Sequence, residues 1–520
     1  MKTSAVAREG RIRLKTDFAN VARCQTVKAA VGGEWDSGTK EWVYPECSVT
    51  WDLLRQQFGI ETPADKLVTL SEMPHKDFVP WQHQTNAYNF AVGLPAALLA
   101  HDMGCGKSMT AIGLLNAWGE QRVLIACPLS VVPVWRRQFD MHSPTSYNVV
   151  SLDNGGTVAR RTMTAKTALN IDVPTAIVIN YEAMWREPFA SWALAQNWSA
   201  VVLDEIHRVK APGGKASRFA AKLRERAARR IGLSGTPLAH SPLDAYAVSR
   251  ALDVRHFGTS FTRFKYQHAI MGGFNGYEFI RLRDPERFSR ILGQFMHRVE
   301  KRDVLDLPPV VHEQRYCTLS SESARVYREM ENDFVAWLRS GVQVTASNAL
   351  VKLLRLAQVT GGHIGDENRD THVIGHDKIN AFKDFLADFP AGEPLVVFCR
   401  FTADVSMVVE ACEGSGRSVA QLTGAMKELD RWQNGDAEVL VAQIQVGSEG
   451  IDLTRGSTCV FYSVGYSLAT YTQALARLDR PGQTRSVTYV HMLAKGTVDE
   501  KVMTALEKRQ EVVDSILRGG

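Results

Sequence analysis

The sequence predicts an α/β protein of two tandem parallel-sheet lobes, with helical insertions and a small α+β domain in front of them. Three observations predict it. Short β-rich apolar runs alternate with helix-length segments in two separate series along the chain. A mostly helical stretch, about 240–370, lies between the two series. A basic, aromatic segment with its own strand and helix signals precedes both.

In chain order, residues 1–75 carry the strand-like EWVYP and the helical WDLLRQQF, and form the N-terminal α+β domain. Residues 76–312 form the first lobe. Its runs VLIACP, AIVINY and AVVLDE end in polar or turn residues, as strands buried on both faces of a parallel sheet do. A helical insertion is expected at about 240–300, within that lobe. A second insertion, 313–372, follows from the helical patterns of SARVYREMENDFVAWLRS and NALVKLLRLAQV. Residues 373–496 form the second lobe, with PLVVFCRF, EVLVAQ, TCVFYSV and SVTYVHML as strands. Apolar residues recur at helical spacing through 497–520, which is expected to be a brace helix.

Composition excludes several classes. At 45% hydrophobic and 22% charged, the chain is that of an ordinary globular protein. No apolar run approaches the roughly 18 residues of a membrane span. The eight cysteines, at 24, 47, 105, 127, 317, 399, 412 and 459, include no CxxC pair, so no zinc site is expected. Their scatter suits a reducing compartment: the cytoplasm of a bacterium or of a virus's host, or the nucleus in a eukaryote. Net charge is +5. Within the first 30 residues Lys2, Arg8, Arg11, Arg13, Lys15, Arg23 and Lys28 face only Glu9 and Asp17. That arm is either a solvated surface or a set of phosphate contacts.

Chemistry concentrates in two motifs. HDMGCGKSMTAIGLL places Gly104, Gly106, Lys107 and Ser108 before a helical apolar pattern. Glycines let a backbone wrap a phosphate chain, and the following helix adds its positive end. Lys107 would reach the β- and γ-phosphates of ATP, and Ser108 would ligate Mg²⁺. His101 stands where the common spacing has glycine. About 100 residues later, AVVLDEIHRVK is an apolar run ending in Asp204 and Glu205. Asp204 suits Mg²⁺ coordination and Glu205 the polarising of an attacking water.

From DEIH onward the chain resembles superfamily-two helicases, and with its neighbouring segments it resembles the Swi/Snf DNA translocase family. The matching stretches run in family order from about residue 78 to 510: DMGCGKS, CPLSVVPVWRRQF, INYEAM, DEIHRVKAP, RIGLSGTPLAHSPLDAY, HRVEKRDVLDLPPV, VGSEGIDLT and YTQALARLDRPGQTRSV. The resemblance implies two RecA-like lobes around a nucleotide cleft. It implies that Gln84, or its close rival Gln82, reads adenine, and that Gln473 also belongs to the nucleotide site. It implies that Arg477 and Arg480 reach the γ-phosphate from the second lobe; three residues apart, they are expected on one helix face. His207, Ser234, Thr236, Gly450 and Asp452 would couple nucleotide to DNA. Lys210 would face DNA, with Arg298, Lys301 and Arg302 as further candidates for phosphate contact.

A second resemblance links VKAAVGGEWDSGTKEWVYPECSVTWDLLRQQFG to the HARP-like domain of annealing helicases, on Trp35, Trp42 with Pro45, and the helix Trp51–Phe58. These resemblances imply a monomeric, ATP-driven motor on double-stranded or branched DNA. Three alternatives stand beside it: a single-strand-tracking helicase of the same superfamily, a non-catalytic DNA-binding scaffold, and a chromatin remodeller proper. The presence of Lys107, Asp204, Glu205, Arg477 and Arg480 opposes the scaffold.

Overall fold

The computed structural model describes residues 3–8, 11–31, 34–45, 48–60, 72–153, 156–238, 241–272, 278–339, 346–365, 371–447 and 451–517. The chain divides into two compact units, Met1–Val304 with Val512–Gly520, and Leu305–Glu511.

The first unit opens with an antiparallel sheet in the order Ser4–Arg8, Arg11–Lys15, Glu41–Pro45, Glu34–Asp36. Helices Val21–Val31 and Ser48–Phe58 accompany it. Residues two apart on a strand share a face. Ile12, Leu14, Trp42 and Tyr44 accordingly meet Cys24, Val27, Trp51 and Leu54 in a separate small core. The Tyr44 hydroxyl donates to Cys24 O at 3.1 Å, which satisfies the one polar atom that this ring carries inside.

The main sheet of this unit has seven parallel strands. Their order is Met296–Val299, Ala96–His101, Ala227–Leu233, Trp198–Asp204, Arg122–Cys127, Thr175–Asn180 and Asn148–Leu152. All six residues of Ala96–His101 and of Thr175–Asn180 are buried. This explains why such strands read as unbroken apolar runs rather than as alternation. Because the strands are parallel, their C-terminal ends gather at one edge, where open α/β sheets bind ligands. Leu99, Leu233 and Asp204 stand in register across three neighbouring strands there.

The stretch expected as a helical insertion, 240–300, differs from that expectation in two ways. Besides the helices Asp244–Leu252, Phe261–His268 and Pro285–Gly293, it contains a hairpin, Ala269–Gly272 with Glu278–Leu282. It also ends in Met296–Val299, an edge strand of the main sheet. Only Met296 and Val299 of that strand are buried, so its sequence shows no apolar run.

The second unit holds six parallel strands in the order Val310–Cys317, Val487–Ala494, Thr458–Phe461, Leu395–Cys399, Val439–Gln443 and Val419–Leu422. Its first strand spans the boundary set from sequence at 312/313. As an edge strand it is largely exposed, and VVHEQRYC carries no continuous apolar signal. Helices Ser321–Arg339 and Ala346–Thr360 follow, as the sequence predicts. The closing helix is Val498–Leu517. Near its start Asp499 pairs with the buried Lys378, and accepts from Thr360 Oγ1 at 2.9 Å and Ala494 N at 3.0 Å. No helix among the described residues is long and apolar enough to cross a membrane.

Candidate active site

The loop after Ala96–His101 leads directly into the helix Lys107–Trp118. Gly104 and Gly106 have φ of 86° and 76°, the left-handed region that favours glycine. Gly106 caps the helix, and a Cβ on it would lie 2.1 Å from Gln84 Nε2. The first helical N–H groups lack intrahelical acceptors and suit an anion. The Lys107 ammonium donates to His101 O at 2.8 Å and Asp102 O at 3.2 Å, so it lies back across the loop. Ser108 is half-buried in the first helical turn.

His101 needs no glycine because it is the last residue of a strand, not part of the left-handed turn. Its buried ring stands with Nε2 at 3.1 Å from Nδ1 of His297, on the neighbouring edge strand. Burial, then His297, hold its pKa well below the usual histidine value. Asp102 extends the same tie. Its N donates to Val299 O at 2.9 Å, and its carboxylate accepts from Lys301 N at 3.0 Å.

Gln84 is buried, and its Nε2 reaches Cys105 O at 3.4 Å while Oε1 accepts from Trp81 N at 2.8 Å. Gln82 is exposed and donates to Asn86. Of the two glutamines, Gln84 is the one that touches the glycine loop.

Asp204 ends the strand Trp198–Asp204 and is 7% exposed. Its Oδ2 accepts from Trp135 Nε1 at 3.1 Å, and its carbonyl accepts from the Tyr181 hydroxyl at 2.8 Å. Burial pushes its carboxyl up and the adjacent Glu205 adds to this. Lys107 and the Trp135 N–H oppose them, and the pKa settles at about 7. Glu205 takes a left-handed backbone, φ 52° and ψ 51°, which turns the chain at once after the strand. A non-glycine residue held there stores of the order of 1 kcal/mol, as residues at functional sites do. Two adjoining carboxylates at a buried strand end, one with raised proton affinity, form a donor set that a divalent cation satisfies.

The Glu205 carboxylate lies 3.3 Å from His207 Nδ1, and that nitrogen is 3.1 Å from Ser234 Oγ. Ser234 Oγ also accepts from Thr236 N at 3.1 Å. His207, Ser234 and Thr236 thus form one chain leading away from the carboxylates. Lys210 caps the short 3-10 helix Ile206–Val209. Burial lowers its pKa, and Asp244 opposes this. Arg298 Nη2 lies 3.4 Å from Glu300 and 3.7 Å from Asp514, while its Nε and Nη1 meet no acceptor among the described residues; Arg302 pairs with Glu300 at 2.7 Å.

In the second unit Arg477 and Arg480 do not share a helix face. The helix Leu468–Leu475 has already ended, and Pro481 disfavours helical backbone at the residue before it. Both guanidinium groups nevertheless donate to one carbonyl, Ile451 O, at 3.3 and 3.2 Å. Arg480 lies 3.8 Å from Asp452. Burial pushes the Asp452 carboxyl up, but Thr454 and the two arginines outweigh it and hold it below its usual value. Gln473 is buried on the helix preceding the arginines. Gly450 lies outside the described residues.

The sequence reading missed Trp135, Tyr181 and His297. Trp135 carried a signal: with Val132 and Phe139 it forms the buried stripe of the helix Val132–His142. Spacing does not tell, however, that its indole nitrogen meets a carboxylate.

Residues 81–362 match the family model described as SNF2-related domain, and residues 377–482 match that described as helicase conserved C-terminal domain. The chain is 24% identical to the putative ATP-dependent helicase/translocase YwqA of Bacillus subtilis, over 81% of this chain and 46% of that protein. It is 24% identical to the human DNA annealing helicase and endonuclease ZRANB3, over 81% of this chain and 39% of that one. The chain therefore spans less than half the length of these two relatives. A phage protein, putative protein p41 of Acyrthosiphon pisum secondary endosymbiont phage 1, is 24% identical over 85% of this chain and 98% of its own. Among solved structures, the Sulfolobus solfataricus SWI2/SNF2 ATPase core in complex with dsDNA is 22% identical, covers 87% of this chain and 96% of its own, and has a TM-score of 0.41.

Proposed function

The chain belongs to the SNF2-related domain family, and from that premise we propose that it is an ATP-driven motor that moves along double-stranded DNA or remodels branched DNA. The observation that carries the proposal is the edge of the first sheet. There a left-handed glycine loop with Lys107, the buried Asp204 and the half-buried Glu205 stand at the ends of strands in register.

On this reading Gly104, Gly106 and Lys107 hold the phosphates of ATP and Gln84 its base. Ser108 and Asp204 would hold Mg²⁺, which would supply neutralisation of phosphate charge. Glu205 orients the attacking water, and its strained backbone fixes the direction of that carboxylate. Arg477 and Arg480 stabilise the charge that spreads over the phosphoryl oxygens. The chain Glu205–His207–Ser234–Thr236 carries the state of the nucleotide toward the residues that grip DNA.

DNA contact is supported in each unit. Lys210 follows the carboxylates within a few residues. In the second unit Arg400 borders a cavity of about 150 Å³ with Gln445, Ser467 and Thr470. Among the described residues no acceptor engages its guanidinium, and burial lowers its pKa. A cation beside amide and hydroxyl donors suits a backbone phosphate.

Displacement of a third strand from a duplex tests the motor. The protein with ATP should strip a triplex-forming strand, and Glu205→Gln should not. Equal displacement without ATP would contradict translocation.

A further inference from the structure

We infer that Trp135 is a positioning residue for the Asp204 carboxylate, holding one of its oxygens so that the other faces a divalent cation. The inference deepens the proposed ATPase reading and rests on it.

Trp135 lies on the helix Val132–His142, on the same buried stripe as Val132 and Phe139. It is 1% exposed, and its ring packs 6.2 Å from that of Phe139. Its Nε1 donates to Asp204 Oδ2 at 3.1 Å, across 69 residues of sequence. A second buried aromatic, Tyr181, fixes the same residue from behind, with its hydroxyl on Asp204 O at 2.8 Å. Both rings belong to close-packed surroundings, so neither donor can swing away without displacing neighbours.

An indole N–H donates only and competes for no metal. A carboxylate with one oxygen bound to it loses rotation about its last torsion. The second oxygen then has one direction, at the strand end beside the phosphate loop. The Lys107 charge favours the ionised form of this carboxylate. Groups that orient a metal-binding side chain typically contribute 10–100-fold in metal affinity. Phenylalanine would fill most of the same space but donate nothing.

The test is Mg²⁺-dependent binding of a fluorescent ATP analogue to the full chain. Trp135→Phe should raise the half-saturating Mg²⁺ concentration about tenfold, with kcat at saturating Mg²⁺ lowered less than threefold. Phe139→Leu disturbs the same packing without touching the hydrogen bond. It should lower Tm and leave half-saturating Mg²⁺ within twofold of the native value. A folded Trp135→Phe with unchanged Mg²⁺ dependence, or Phe139→Leu shifted as far, would overturn the inference.

The Trp135 indole N–H resonance gives a readout that needs neither turnover nor a folded Trp135 variant. Asp204→Asn without nucleotide should displace one indole resonance, and the same resonance should move when Mg²⁺ and nucleotide bind the native protein. If no indole resonance responds to Asp204→Asn, the hydrogen bond is absent and the inference fails. If that resonance responds but the native protein hydrolyses no ATP, the ATPase reading fails and the positioning bond survives.

Discussion

Glu205 is held in a left-handed backbone that glutamate does not choose, and its side chain sits 3.3 Å from His207. A residue strained in place for direction should be dispensable for binding but not for turnover. Glu205→Gln should therefore abolish hydrolysis and keep ATP affinity. Lys107→Ala removes the charge that now rests on loop carbonyls, and should weaken binding itself. Turnover and nucleotide-binding assays on the two variants separate these roles, and an active Glu205→Gln would remove its assignment. Arg477→Ala and Arg480→Ala should each lower kcat by roughly 10³-fold or more with little change in ATP affinity. Lost affinity with kcat intact would reduce them to ground-state contacts. Asp204 makes a prediction about stability. Its carboxyl titrates at about 7 when folded, against a reference value of 3.8. The folded state therefore holds this proton more tightly than the unfolded chain. Its stabilising effect is complete below about pH 4 and is lost as pH rises through 7. Asp204→Asn should accordingly stabilise the metal-free protein by about 2–4 kcal/mol at pH 8 and by almost nothing at pH 4. Melting curves at both pH values measure this, and equal effects at the two would show that Asp204 is not protonated by burial. At this scale the glycines, Lys107 and the acidic pair were legible because their chemistry is written in contiguous letters. Trp135, Tyr181 and His297 were not, because each meets the site from another element.

Elements show a different boundary of legibility. Buried strands such as Leu395–Cys399 were plain, since burial on both faces demands unbroken apolar runs. Val310–Cys317 and Met296–Val299 were not, because an edge strand borrows its hydrogen bonds from a neighbour and shows no apolar run. Arg477 and Arg480 lie in a turn: spacing alone allowed a helix face, but the helix stops at Leu475 and Pro481 disfavours helical backbone at Arg480. The N-terminal element has its own core around Tyr44 and Leu54. Trp42 is consumed by that core, while Trp35 stays 48% exposed with its ring 5.5 Å from Trp42. Arg13, from the basic arm, is engaged by Asp36 and Glu41. A chain beginning at residue 76 should thus stay folded and keep DNA-stimulated ATPase, but lose preference for forked over plain duplex. Melting temperature and ATPase on both substrates check this. Unchanged fork preference in a well-folded truncation would mean that the element only packs against its neighbours.

At the scale of the whole molecule, two parallel sheets each present polar side chains at the C-terminal ends of strands, which are the candidates for function. The first presents Lys107, Asp204 and Glu205, and the second presents Arg400 beside its cavity. Ordered motifs along the chain made two lobes and their chemistry legible, whereas the choice among duplex, single strand and RNA is not written in any one residue. That choice is the central claim. The most direct measurement is the steady-state ATPase rate of the full chain with duplex DNA, single-stranded DNA, forked DNA, RNA or no nucleic acid, at one fixed salt concentration. A motor on duplex DNA should be stimulated strongly by duplex and forked DNA and little by single-stranded DNA or RNA. Stimulation by single-stranded DNA or RNA with none by duplex would contradict it.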